Sequence, residues 1–421
     1  MLKNHPLVDT LLHLKGNPKA CVYTEPLWGV PYNLFIPFAS IYMVAIGLSD
    51  SQIGLIASIG MAFQIVFALL SGVITDKMGR KRASFIFDFI AWSIPCLIWA
   101  FSSSFIHFAA AAVINSVMRV TMNSWGCLLV EDSDREQIVN IYAWIYIAGL
   151  LAAFFAPITG LFIGRFELVP TIRVIYLISF VLMTAKFIIL NAFATETRQG
   201  KIRMEETMHH SIFQLLSGYG TVIRQLLRTP ETMLTLGIML VMGICTMVNG
   251  TFWSIIVTQE IGVPDKTVGL FPLLRSFIML IFFFVLVPRL KAVRFRNPLI
   301  IGFLIFIASQ LLLILAPEKG WVILIISIFL EACALSLVNP LLDSMQVILV
   351  DQQERARVIA MMYVTVMALS SPFGWIAGLL SEADKRLPFV MNIVLLAIGI
   401  LLTILAAVAA SGKSAAVTAE E

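Results

Sequence analysis

Long apolar stretches separated by short polar ones run along the whole chain. Each of twelve such stretches contains about 20 mostly apolar residues, the length that a helix needs to cross a bilayer. In lipid every backbone N–H and C=O must find a partner within the protein, which favours helices over open strands. The pattern therefore predicts twelve membrane-spanning helices, over residues 24–47, 53–75, 83–103, 106–130, 137–163, 168–194, 233–258, 267–288, 298–316, 321–347, 356–380 and 387–410.

The longest polar stretch lies in the middle of the chain and divides the predicted helices into two groups of six. Within it, apolar residues recur at helical spacing over 211–228, which predicts an amphipathic helix on the inner membrane face. The N-terminal part, residues 1–194, comprises a short cytoplasmic lead-in over 1–22 and a six-helix bundle. A central cytoplasmic loop over 195–232 follows it. The C-terminal six-helix bundle covers 233–410, and a cytoplasmic tail covers 411–421.

Composition and charge agree with a membrane protein. The 421 residues are 59% hydrophobic and 13% charged, against roughly 45–50% and about 25% in soluble domains. The formal net charge of +4 gives no sign of nucleic-acid binding. Most of the 29 lysines and arginines fall in loops that share one side of the predicted membrane. This bias predicts a multi-pass protein of the inner (cytoplasmic) membrane with both termini in the cytoplasm, and we expect a monomer.

The chain contains none of the short motifs that would indicate an enzyme or a metal site. Its five cysteines are far apart and show no metal-ligand spacing. No H-E-x-x-H or G-x-S-x-G motif is present, and Gly412-Lys-Ser lacks the upstream glycine of a phosphate-binding loop. We therefore expect no catalytic activity, no metal and no cofactor.

A dense group of charges follows the second apolar stretch, in the sequence Gly72-Val-Ile-Thr-Asp-Lys-Met-Gly-Arg-Lys-Arg82. A cytoplasmic turn would explain its basic residues, but neither Asp76 among them nor the spacing of Gly72 and Gly79. The segment resembles the loop between the second and third helices of the major facilitator superfamily. That resemblance implies an all-α membrane fold of twelve transmembrane helices in two pseudo-symmetric six-helix bundles, which transports solutes by alternating access.

The resemblance also implies a mechanical role for this loop as a gate between the two halves. Asp76 would pair with the start of the eleventh helix, and Arg80 with an acidic residue at the end of the fourth, either Glu131 or Asp132. Gly72 and Gly79 complete the predicted gating motif. Rupture of these contacts would let the halves rock against each other.

A weak internal repeat supports two homologous halves. Val130-Glu-Asp-Ser-Asp-Arg135 ends the fourth predicted helix, and Val350-Asp-Gln-Gln-Glu-Arg355 ends the tenth. In both, valine, an acid, two further residues, an acid and arginine follow in the same order. This is the parallel repeat that the resemblance implies.

Polar side chains inside the apolar stretches are the candidates for function, because a central arginine costs about 2.5–3.5 kcal/mol on insertion scales. Arg119 shares one helix face with an asparagine four residues away on either side. We expect the solute to be bound by such residues on several helices: Asn33, Asn115, Arg119, Asn123, Asn249, Trp253 and Asn339.

Acidic residues in the tenth predicted helix are the candidates for proton coupling. Glu331 lies deep in the apolar stretch and Asp343 nearer its inner end. Of the other charges, Glu25 is expected at the membrane interface, Asp88 beside the basic loop, and Lys186 with its ammonium reaching toward the inner surface. Several tryptophans belong to interfacial belts, and one or two of them can stack on a sugar ring or an aromatic drug.

These features together predict a secondary active transporter that moves a small organic solute by alternating access in the lipid bilayer, with protons as the expected partner ion. Two more specific readings stay open, a drug/proton antiporter and a sugar or oligosaccharide–proton symporter. A third alternative is a non-transporting receptor on the same fold.

Overall fold

The computed structural model describes residues 6–208, 230–285, 296–348 and 355–420, and these ranges are helical with short turns and without strands. The helices are α1 (Pro6–His13), α2 (Gly16–Ala45), α3 (Asp50–Met78), α4 (Arg80–Phe101), α5 (Phe105–Val130), α6 (Gln137–Phe166), α7 (Leu168–Phe193), α8 (Arg198–Thr207), α9 (Pro230–Gln259), α10 (Leu270–Val285), α11 (Arg296–Leu315), α12 (Trp321–Ile348), α13 (Arg355–Ala383) and α14 (Leu387–Glu420).

Eleven of these helices contain a segment long and apolar enough to cross a membrane. They coincide with eleven of the twelve predicted spans, and the chain is a multi-pass membrane protein. The remaining predicted span, 267–288, is described only as the 16-residue helix α10. The amphipathic helix predicted over 211–228 lies outside the described residues.

The chain forms two compact units. Unit 1 comprises residues 1–48, 59–217 and 265–273, and unit 2 comprises residues 49–58, 218–264 and 274–421. Two short segments, 49–58 and 265–273, each belong to the unit that is formed mainly by the other half of the sequence.

Glycines explain why these short segments pack where they do. In unit 2, a Cβ on Gly54 would overlap the carbonyl oxygen of Gly374 on α13, so the start of α3 lies against α13 with the two backbones in contact. In unit 1, a Cβ on Gly160 would overlap the carbonyl oxygen of Lys266. Small residues allow such close backbone approach between helices in membranes.

One core cluster of unit 1 forms where the N-terminal lead-in meets the predicted bundle. Cys21 of α2 packs with Leu128 and Leu129 of α5, Ile141 of α6 and Leu190 of α7, all of them buried. A core cluster of unit 2 joins α9, α11, α12 and α14 through Val241, Phe303, Phe306, Val338 and Leu396. Each unit therefore has its own tightly packed core.

An irregular segment in α4 positions two residues of the candidate site. Phe89–Ser93 forms a π-helical turn, immediately after Asp88. Pro95 follows and cannot donate a backbone hydrogen bond to the carbonyl of Ala91. The Nδ2 of Asn115 donates to that carbonyl instead, at 2.8 Å. Single π turns inside α-helices occur frequently at functional sites.

Candidate functional site

Unit 1 contains a buried group of three charged side chains, Glu25, Asp88 and Lys186, which we call the lysine centre. They lie on α2, α4 and α7, and none is more than 9% exposed. The Nζ of Lys186 donates to Oε2 of Glu25 at 2.9 Å. Asp88 interacts electrostatically with both of these side chains at longer range. With all three ionised, the lysine centre carries one net negative charge.

Aromatic rings surround the lysine centre. Trp28 and Tyr32 stack with centroids 4.8 Å apart, and Trp92 meets both rings edge-on. The Nζ of Lys186 lies 5.7 Å from the ring centroid of Trp28 and 5.4 Å from that of Trp125. These distances fall within the range of a cation–π interaction.

The lysine centre and its aromatic rings line a cavity of about 310 Å³ within unit 1. All three charged residues, together with Trp28, Tyr32, Trp92, Trp125 and Met118, contribute to its wall. The indole Nε1 of Trp125 is buried and has no hydrogen-bond partner among the described residues. The volume lies at the lower end of the range for small-molecule pockets.

The sequence did not predict this cavity, because its charged residues were given separate roles. Lys186 does not reach toward the surface: it is 4% exposed and paired with Glu25. Glu25 is therefore the ion-pair partner of Lys186, and not only a residue at the membrane interface. Asp88 lines the same cavity as Lys186, so its role is not limited to the basic loop. One signal was available in the sequence. Each of these three charges lies in an apolar stretch, and the charge of Lys186 is opposite to that of the two carboxylates.

Unit 2 contains a second charged group around Glu331, which we call the glutamate centre. Glu331 on α12 is 3% exposed, and its Oε2 accepts a hydrogen bond of 2.6 Å from the guanidinium of Arg275 on α10. Its Oε1 accepts from Nδ2 of Asn249 on α9, at 3.1 Å. The guanidinium carbon lies 5.6 Å from the ring centroid of Trp253. Three residues predicted from the sequence, Asn249, Trp253 and Glu331, thus lie together.

A chain of side-chain amides extends from the glutamate centre. Asn392 on α14 donates from Nδ2 to Oδ1 of Asn249 at 3.2 Å and to Oε1 of Gln310 on α11 at 3.3 Å. The Oδ1 of Asn392 is buried without a hydrogen-bond partner among the described residues. Amide groups both donate and accept hydrogen bonds, so the hydrogen bonds among these side chains can rearrange when the charge of Glu331 changes.

The polar stripe predicted around Arg119 makes contacts inside unit 1. The Nε of Arg119 donates to Oε1 of Gln64 at 2.8 Å. Asn123 makes a long contact of 3.5 Å with Thr75, and Asn33 donates to the carbonyl of Gly29 in its own helix. With Asn115 bound to Ala91, the amide donors of these asparagines already have protein acceptors.

The other predicted residues of α12 contribute less to the described site. Asn339 is exposed and is not part of the glutamate centre. The side chain of Asp343, predicted for proton coupling, lies outside the described residues.

The predicted gating motif forms a network of ion pairs in unit 1. The guanidinium of Arg80 lies 2.9 Å from the carboxylate of Asp76 and 3.0 Å from that of Glu131. Asp132 is not its partner, and accepts instead from Asn17 and from the backbone of Arg198. The side chains at the start of α13, the expected partner of Asp76, lie outside the described residues.

Glu196 is a member of this network that the sequence did not predict. Its carboxylate accepts from the backbone N–H groups of Arg80 and Lys81, at 2.8 and 3.1 Å, where the dipole of α4 favours a negative charge. Gly79 has a φ of 82°, and a Cβ there would meet this carboxylate. The conformation of the loop therefore requires glycine at position 79, whereas Gly72 is an ordinary helical residue near Asn123.

No cluster of side chains that could hold a metal ion occurs within the described ranges.

Comparison with protein families gives matches across most of the chain. Residues 29–286 and 234–421 match the family model described as Major Facilitator Superfamily. An uncharacterized MFS-type transporter of Bacillus subtilis (strain 168), YqjV, is 26% identical over 134 residues, or 31% of this chain and 32% of that protein. The match thus spans about a third of the relative.

Solved structures resemble the chain over nearly its whole length. The nucleoside transporter NupG superposes with a TM-score of 0.70 at 14% identity, covering 94% of this chain and 99% of that one. The human organic anion transporter MFSD10 (TETRAN) gives a TM-score of 0.65 at 15% identity, covering 95% and 100%. At such identities the likeness concerns the fold alone.

Proposed function

The chain belongs to the major facilitator superfamily, and from this premise we propose that it is a secondary active transporter that moves a small organic solute by alternating access, coupled to protons. Its family is one of transporters and not of enzymes. The charge bias of the loops supports a place in the inner membrane with both termini in the cytoplasm.

The ion pair between the buried carboxylate of Glu331 and the partly exposed guanidinium of Arg275 is the observation that carries proton coupling. An ionisable residue inside a spanning helix is costly, and such residues mark proton and substrate pathways. Glu331 is held by one cation and one amide, so it can exchange its negative charge for a proton without losing every partner. We assign the proton-carrying role to Glu331.

The amide chain supplies the adjustment that protonation requires. Ionised Glu331 only accepts hydrogen bonds, and Asn249 donates to it. Protonated Glu331 must donate from one oxygen. Rotation of the amides of Asn249, Asn392 and Gln310 by half a turn would present an oxygen to that proton and give Oδ1 of Asn392 a donor. This arrangement gives Glu331 a hydrogen-bond partner inside the membrane in both of its protonation states.

Proton movement in proteoliposomes tests the proposal. A thermal-shift screen over sugars, drugs and amino acids selects a solute, and a pH-sensitive dye trapped in the vesicles reports solute-driven proton flux. We expect flux with the native chain, none with Glu331→Gln, and native flux with Glu318→Gln, a control at an exposed carboxylate. Solute movement without proton flux in the native chain, or undiminished flux with Glu331→Gln, would refute coupling through Glu331.

Transport itself separates this proposal from a non-transporting receptor on the same fold. A receptor would bind the selected solute and move none of it across the vesicle membrane. Accumulation inside vesicles that contain the protein, and none inside empty vesicles, excludes the receptor.

We propose further that the network around Arg80 acts as the gate. Asp76→Asn leaves Glu131 as the main anionic partner of Arg80, so it should shift the balance of conformations while solute binding is retained. Reactivity of an introduced cysteine on α8 toward a water-soluble maleimide reports the shift, with Glu206→Gln, another α8 carboxylate change, as the control. Loss of binding in a folded Asp76→Asn protein would contradict the gating role.

A further inference from the structure

We propose that the cavity at the lysine centre binds a flat organic cation. This inference rests on the proposed function, since it names the class of solute that the transporter carries. Its basis is the juxtaposition, inside unit 1, of an aromatic enclosure and a group of charges whose sum is negative.

The charge balance favours a cation over an anion. Lys186 is already paired with Glu25 at 2.9 Å, whereas Asp88 lines the same cavity and makes only the weaker, longer-range interaction with that ammonium. A bound anion would have to displace Glu25 and face Asp88. A bound cation would be attracted by the carboxylate of Asp88.

The aromatic rings add a second attraction of the same sign. The faces of tryptophan and tyrosine rings attract cations, and Trp28 and Trp125 already hold the ammonium of Lys186 at cation–π distance. Trp28 and Tyr32 stand stacked beside the edge-on ring of Trp92, so the wall presents broad flat surfaces. Such a wall suits a planar ring system better than a sugar, whose hydroxyls need many hydrogen-bond partners.

The unpaired indole of Trp125 is independent support for a ligand. Buried polar groups in native proteins nearly always have a partner, and this N–H has none among the described residues. A bound molecule that carries an oxygen or nitrogen acceptor would satisfy it. The rest of the wall, mostly apolar with a few polar groups, is typical of small-molecule sites.

Three probes of one shape test the charge preference on the purified full-length protein. N-methylacridinium is a flat cation, 9-methylanthracene is its neutral counterpart of the same shape, likewise without a hydrogen-bond acceptor, and anthracene carboxylate is a flat anion. Titration calorimetry measures each affinity without a membrane gradient. We expect N-methylacridinium to bind about tenfold more tightly than 9-methylanthracene, as one or two cation–π contacts and a carboxylate predict, and the anion more weakly than either.

Variants assign the preference to Asp88. Asp88→Asn should remove most of the tenfold preference, Asp88→Glu should restore part of it, and Glu206→Gln, at an exposed carboxylate of α8, should leave it unchanged. Equal binding of the three probes to the native chain, or tighter binding of the anion, would overturn the proposal even if no variant folds. An undiminished preference in folded Asp88→Asn would overturn it as well.

The two proposals can fail separately. Cation-selective binding without any transport would leave the cation site standing and refute the transporter. Proton-coupled transport of some other solute, without cation-selective binding, would leave the transporter standing and refute the cation site.

Discussion

The lysine centre and the glutamate centre both contain buried charges, but the side chains that surround these charges differ. In unit 1 one ammonium faces two carboxylates among aromatic rings that line a cavity. In unit 2 one carboxylate faces one guanidinium, and amides from α9, α11 and α14 extend from the pair. The lysine centre has a spare carboxylate, one more than its single ammonium neutralises. In the glutamate centre the two charges cancel.

This difference indicates a division of labour. A spare carboxylate among π faces is suited to a visiting cation, which can neutralise it. A balanced pair tied to reorienting amides is suited to a proton, because the amides can match either protonation state of Glu331. Binding the solute and coupling to protons would then belong to different units.

The largest effect should follow when the balanced pair of unit 2 is broken. Arg275→Met leaves the carboxylate of Glu331 buried without its cation, and loss of one partner of a buried pair typically costs about 3–5 kcal/mol. Denaturant unfolding in nanodiscs measures the loss. The second substitution Glu331→Gln, made in the Arg275→Met background, should recover part of it. If the double variant is no more stable than Arg275→Met alone, the charge balance is not what stabilises this centre.

A smaller loss is expected from the matching change in unit 1. Glu25→Gln removes the direct partner of Lys186, but Asp88 remains to compensate the ammonium, so the cost should be about half that of Arg275→Met. The same unfolding assay makes the comparison. A cost equal to or above that of Arg275→Met would show that Asp88 gives Lys186 no useful support, and the notion of a spare carboxylate would fail.

The sequence predicted the fold well and the site unevenly. Long apolar stretches report membrane spans directly, and the loop from Gly72 to Arg82 led to the family. Glu331 stood out because a carboxylate in the middle of an apolar stretch is rare. Its partnership with Arg275 depends on the packing of α10 against α12, and no local spacing encodes it.

The cavity of unit 1 could not be predicted for a related reason. Glu25, Asp88 and Lys186 are far apart in sequence, and each has an ordinary local explanation when considered alone. Only the packing of α2, α4 and α7 brings them together, with the π turn after Asp88 placing Trp92 on the same wall. Glu196 was overlooked similarly, since its hydrogen bonds to the backbone of Arg80 and Lys81 join segments that are far apart in the sequence.

The smallest effect concerns the aromatic rings. Trp253→Phe weakens the ring face that holds Arg275, which is worth about 0.5–1 kcal/mol, and leaves a gap in a packed wall. Trp125→Phe weakens a similar contact to Lys186 but also removes a buried N–H without a partner, and relief of that penalty offsets part of the loss. Without ligand, Trp125→Phe should therefore be the less destabilising of the two by about 1 kcal/mol. The reverse order in thermal unfolding would argue that the Trp125 indole is satisfied in the free protein.

The division of labour is tested most directly by uptake of N-methylacridinium into proteoliposomes, measured with and without an imposed pH gradient over a range of concentrations. With Glu331→Gln, we predict that the gradient no longer alters uptake, while the half-saturating concentration changes little. With Asp88→Asn, we predict that half-saturation needs about tenfold more solute, while the gradient still alters uptake by the native factor. If both variants change the same parameter in the same way, binding and coupling are not separated between the two centres, and the account is wrong.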